Sequence, residues 1–185
     1  MLEITYDNNE PIELVSGFAE MADAIFLVLL VLHIGAIVAW MGGAALFVSV
    51  IIPSLSKMSP PSRAEFIQSA LPRYLRFIMG SSILAIIAGL ALYAYVTTVA
   101  TSLAPSTTGS PYVQAGAILG LVVLIIALGV LVPAGRKFIA LTKQPAQQEA
   151  QSQIANLQKR MGLAGRLGVA LLGVTLILMV IGASI

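Results

Sequence analysis

The chain has one histidine, His33, inside an apolar run that reads Leu32-His33-Ile34-Gly35-Ala36-Ile37-Val38-Ala39-Trp40. An ionisable side chain is costly in such surroundings and is a functional candidate by default. Imidazole offers a nitrogen donor for copper or haem iron, a proton relay, or a hydrogen bond to a neighbouring helix. Helical spacing carries its face onward through Ala36, Ile37, Trp40 and Met41, so Trp40 is a candidate neighbour of the ring. In antiparallel helices the level of His33 falls near Tyr93 in the second apolar run and between Thr175 and Met179 in the fourth. The Met179 thioether could join His33 on Cu(I), while Tyr93 or Thr175 could hydrogen-bond the other ring nitrogen. The alternative also stands: a neutral His33 making one interhelical hydrogen bond, with Met179 as apolar filler.

Other chemistries are excluded or lack their parts. There is no cysteine, hence no disulfide, thiolate metal site or redox thiol. The apolar runs hold no paired carboxylates, no Ser-His-Asp set and no glycine-rich phosphate loop. A non-enzymatic role is therefore the first expectation.

The elements that must position these residues are four apolar runs, at about 24–52, 77–100, 112–133 and 161–185. Each is long enough for a membrane helix, which needs about 20 residues, and none sustains the alternation of a barrel strand. With 58% hydrophobic and 10% charged residues and a mean hydropathy of +0.97, the chain departs from a soluble domain, where about 25% are charged. The expected fold is an all-α integral membrane protein, an antiparallel bundle of four transmembrane helices over 24–185, preceded by an acidic arm over 1–23. The arm carries Glu3, Asp7, Glu10, Glu13, Glu20 and Asp23 with no Lys or Arg. It lacks the basic segment of a secretory signal, so the first run is taken as a retained span.

All 10 Lys and Arg residues lie within 57–76 and 136–166. Short basic connections stay on the cytoplasmic side, which places both termini and the 101–111 connection outside a prokaryotic plasma membrane. Topology thus accounts for the basic balance without nucleic acid, and the expected surroundings are the lipid bilayer and, through exposed helix faces, other membrane subunits or further copies. Arg73, Arg76 and Arg166 stand where side chains snorkel to headgroups. Residues 60–72, bounded by prolines, are expected as a short separate helix with Ser62 as its N-cap. Residues 144–159 look helical and polar, an inward extension of the fourth span or a linker. Small residues recur along each run: Gly35, Ala39, Gly42 and Gly43; Ser81, Ala85 and Gly89; Gly116 and Gly120; Ala164 and Gly168. They favour close helix packing. No internal repeat stands out.

Leu32-His33 followed by Trp40-Met41-Gly42-Gly43 resembles the membrane domain of CopD-type copper-resistance proteins, with its His, six residues, then Trp-x-Gly-Gly. Arg73-Tyr74-Leu75-Arg76-Phe77 leading to Gly89-Leu90 is similar to that family's basic-aromatic stretch and late glycine, and Arg136-Lys137 is a further match. The resemblance covers roughly 24–185. It implies copper handling or transport across the plasma membrane, with His33 the main ligand. The family's full-length members have additional spans, and a His- or Met-rich external segment is missing here. His33 with Trp40 is also similar to the HemJ family, which implies a haem- or porphyrin-linked membrane oxidoreductase binding haem b. One histidine cannot supply two axial imidazoles, so that reading needs a Met, an open position or a dimer. A third expectation is a non-catalytic accessory subunit of a larger membrane complex.

Overall fold

A computed structural model describes residues 10–143 and 148–185. Helix α1 (Glu10–Leu46) passes through a π-helical turn (Phe47–Ile51) into α2 (Ile52–Lys57), and α3 (Pro60–Thr98) returns. A 3-10 turn (Thr101–Leu103) leads to α4 (Ser110–Ile126), a second π-turn (Ala127–Leu131), α5 (Val132–Thr142) and finally α6 (Gln148–Ser184). No strand occurs among the described residues. The result is four rods, each containing a helix long and apolar enough to cross a membrane. They run up and down: α1 packs chiefly on α3 and α4 on α6, while α3 with α5 and α1 with α6 close the ring.

Large apolar side chains cover the outside, with Val31 67%, Ile118 65% and Leu163 71% exposed. A water-soluble monomer rarely shows contiguous apolar faces of this extent. Inside are two clusters. At the basic end, Phe47, Val48, Leu55, Ile67, Leu71, Phe138 and Met161 pack together. Ala36, Trp40, Ile78, Ala85, Val123 and Leu172 form the middle cluster. Phe47 stacks on Tyr74 with centroids 4.4 Å apart and planes at 11°, a contact worth about 1 kcal/mol beyond its buried area.

Several boundaries differ from expectation. Residues 60–72 are not a separate helix, because α3 runs through Pro72 to Thr98. Burial of Ile67, Leu71 and Leu75 around the proline offsets its one lost hydrogen bond. Ser59, not Ser62, holds the N-cap position, and the two hydroxyls bond each other at 2.9 Å. The first and third rods outrun their prolines. Ile52 N–H bonds Phe47 C=O and Val132 N–H bonds Ala127 C=O, one residue further back than in an α-helix. The wider turn relieves the clash each following proline ring, Pro53 or Pro133, would have with the preceding turn. The polar stretch before the fourth span is helical from Gln148, and 144–147 lie outside the described residues. On the acidic arm, helix α1 already begins at Glu10; residues 1–9 lie outside the described residues.

Candidate metal site around His33

His33 projects from α1 toward a part of α3 where the side chains are small. Its Nδ1–H donates to the Ala85 carbonyl at 2.9 Å. A carbonyl can only accept, so the neutral ring carries its proton on Nδ1 and its lone pair on Nε2. Gly89 makes this approach possible. A Cβ at that position would lie 2.5 Å from His33 Cε1 and 2.8 Å from Nδ1, closer than carbon atoms pack. The small-residue series Ser81, Ala85, Gly89 thus does more than bring helices together: its last two members expose a backbone carbonyl to an imidazole.

The ring borders a small, partly open chamber of about 40 Å³, which His33, Trp40, Gly116, Thr175 and Met179 help to line. Gly116 sets the position of Met179, since a Cβ on it would come 3.2 Å from Met179 Cγ. The Thr175 hydroxyl donates to Leu171 C=O within its own helix at 2.9 Å, which leaves its oxygen lone pairs as acceptors. Trp40 is buried at 3% exposure and forms a wall rather than an interfacial anchor. Among the described residues no Lys, Arg, Asp or Glu lines the chamber.

Four of the five residues singled out in the sequence therefore line one chamber: His33, Trp40, Thr175 and Met179. Tyr93 does not join them. Its hydroxyl accepts a hydrogen bond from Gln114 Nε2 at 3.2 Å, about one helical turn beyond Gly89 toward the end of α3. The residues that orient the ring, Ala85 and Gly89, were visible in the sequence only as packing positions. Arg73, Arg76 and Arg166 belong to the basic end and none borders the chamber.

The donors here are one imidazole nitrogen and one thioether. Among the described residues no group of three His, Cys, Asp or Glu side chains gathers, so hard-cation chemistry lacks its oxygen ligands. A nitrogen–sulfur pair in apolar surroundings suits a soft ion such as Cu(I). An imidazole whose second nitrogen is held by a backbone carbonyl is also the usual state of a metal-ligating histidine. A haem fits less well, because the chamber offers one imidazole and no cationic side chain to pair with propionates.

Comparison of the chain with protein-family models, with curated proteins and with solved structures finds no match.

Proposed function

We propose that this chain is a multi-pass protein of a prokaryotic plasma membrane that handles copper, binding Cu(I) between His33 Nε2 and the Met179 thioether. One observation carries the reading: the Nδ1–H of His33 is held by Ala85 C=O, which leaves Nε2 as a fixed donor beside a chamber that Met179 also lines. The resemblance to CopD-type domains points the same way. Cu(I) keeps a low coordination number, so two soft donors and a nearby Thr175 oxygen form a site for transfer rather than storage.

The four apolar helices and the collection of all 10 basic residues in two connections support an orientation with both termini outside. Cysteines introduced at Ser69 and Ser102, both exposed, should label from the cytoplasmic and outer faces respectively. Labelling of both from one face would end this topology.

For the site, purified protein should take up Cu(I) in competition with a chromogenic chelator. His33→Ala and Met179→Leu should each weaken uptake at least tenfold while the bundle stays folded. Gly89→Ala should weaken it through the ring's orientation alone. A Soret band in protein purified gently from its own membrane would favour the haem-linked oxidoreductase. Protein that takes up neither copper nor haem, with His33→Gln and Met179→Leu as stable as the parent, would leave the accessory-subunit reading.

A further inference from the structure

The two π-turns belong to a repeat that the sequence conceals. Aligning Phe47–Ile51 with Ala127–Leu131 brings Pro53 onto Pro133 and Lys57 onto Lys137. The same register places buried Ala36, Trp40 and Leu55 on buried Gly116, Gly120 and Gly135. In the returning helices, Gln68 corresponds to Gln158 and Arg76 to Arg166, and buried Leu71, Leu75, Ser82 and Ala85 correspond to buried Met161, Gly165, Leu172 and Thr175. The expectation of no internal repeat is thus corrected: the chain is two helical hairpins of one design. They escape notice because the connection between rods is longer in the second hairpin, which shifts the spacing, and few paired residues are identical.

Both π-turns face the same apolar chamber, which Phe47 and Val48 line from one side and Ala127 and Leu131 from the other. Beyond each turn, a proline opens a segment that leads to the basic end. Besides burying Leu55 or Phe138 in the basic-end core, each segment takes one hydrogen bond from a side-chain amide of the opposite hairpin. Gln158 Nε2 donates to Ile52 C=O at 3.0 Å, and Gln68 Nε2 donates to Thr142 C=O at 3.0 Å. The two glutamines are repeat equivalents. Pro53 and Pro133 have no N–H to return to the preceding turn, so the rods are weakest there, and π-turns and prolines are the usual sites of helix bending.

We infer that α2 and α5 are a pair of hinged segments that swing on the two π-turns, with Gln158 and Gln68 as their latches. Swinging them outward opens the apolar chamber between the turns toward the basic end. Trp40 and Leu172 wall that chamber and the His33 chamber alike, so the motion reaches the environment of His33 through a shared partition. The hinge stands on the repeat and the hydrogen bonds alone and does not depend on copper.

Spin labels at Lys57→Cys and Lys137→Cys, both exposed, report the separation of the two segments by pulsed electron resonance in lipid nanodiscs. Labels at Ser102→Cys and Ser184→Cys report the opposite end. Replacing Gln68 and Gln158 together by Leu should lengthen and broaden the inner distribution and leave the outer one unchanged. Pro53→Ala with Pro133→Ala restores the missing N–H groups and should narrow the inner distribution in the otherwise unaltered protein. An inner distribution indifferent to the glutamines, or broadening of both ends together, would overturn the latches. An inner distribution indifferent to the prolines would overturn the hinges.

Discussion

The two hairpins share one backbone design and fill it in opposite ways. Where the first rod carries Trp40, Phe47 and Leu55, the third carries Gly120, Ala127 and Gly135; where α3 has Tyr74 and Leu75, α6 has Ala164 and Gly165. At these positions the first hairpin supplies side chains and the second supplies space. Across the interface a Cβ on Gly135 would meet Leu75, one on Gly165 would meet Val48, and one on Gly162 would meet Ile52. Lipid offers helices little hydrophobic reason to associate, so fit has to supply the stability. Knobs from one hairpin in holes of the other also fix which face each presents. The bundle is held by the difference between its halves.

That contrast can be broken most severely where the second hairpin closes on itself. Gly109 and Gly182 cross there with backbone against backbone: a Cβ on Gly182 would lie 2.8 Å from Gly109 C=O and 2.9 Å from Val113 N. Neither atom belongs to a side chain that could rotate away. Gly182→Val should cost more than about 3 kcal/mol, beyond the usual range for overpacking, and largely abolish a cooperative melt in detergent. A melt within a few degrees of the parent would mean that α4 and α6 do not approach so closely.

Smaller losses test the knobs and holes between hairpins. Gly165→Ala presses a Cβ into Val48, a stiff β-branched residue whose rotamers are few, so about 2 kcal/mol is expected. Pairing it with Val48→Ala should recover much of the loss, and an additive double variant would show that the two positions do not touch. Gly135→Ala meets the end of the Leu75 side chain, its methyl nearest at 2.9 Å. Leu can repack, so the expected cost is about 1 kcal/mol. The smallest effect belongs to the first hairpin's outer face. Gly35 and Gly42 have nothing within 4 Å of an added Cβ, and Gly→Ala there should be neutral or stabilising by up to about 1 kcal/mol through helix propensity. A clear loss of stability at either would reveal a second chain packed on α1.

Much of this arrangement was legible from particular residues. Periodicity put His33, Ala36, Ile37, Trp40 and Met41 on one face; Ala36 and Trp40 are buried, with Ile37 and Met41 against them. Matching depth in antiparallel helices put Thr175 and Met179 at the level of His33, and all three line one chamber. The same argument misplaced Tyr93, because a one-turn error in depth separates Gly89 from Tyr93 and a run of apolar residues has no mark to set it. Prolines were taken as ends, yet Pro53, Pro72 and Pro133 lie within rods, two of them accommodated by π-turns. A π-turn adds one residue without changing composition, so sequence pattern does not reveal it. The close crossing at Gly109 went unseen because it stands before the third apolar run. The repeat was hidden by the complementarity that makes it useful.

The hydrogen bond from His33 to Ala85 has a consequence for the order of assembly. Both partners belong to the first hairpin, so the imidazole finds its acceptor as soon as α1 and α3 meet. A polar ring among apolar helices need not wait, unpartnered, for the rest of the chain. Met179, by contrast, lies on α6, the last of the described helices to leave the ribosome, and chains are made and fold from the N-terminal side first. During synthesis the first hairpin therefore satisfies its own imidazole, yet holds only one of the two donors proposed for copper. On the copper reading proposed above, capture of a soft metal ion would become possible only when α6 docks, so a truncated chain would present an imidazole without a thioether.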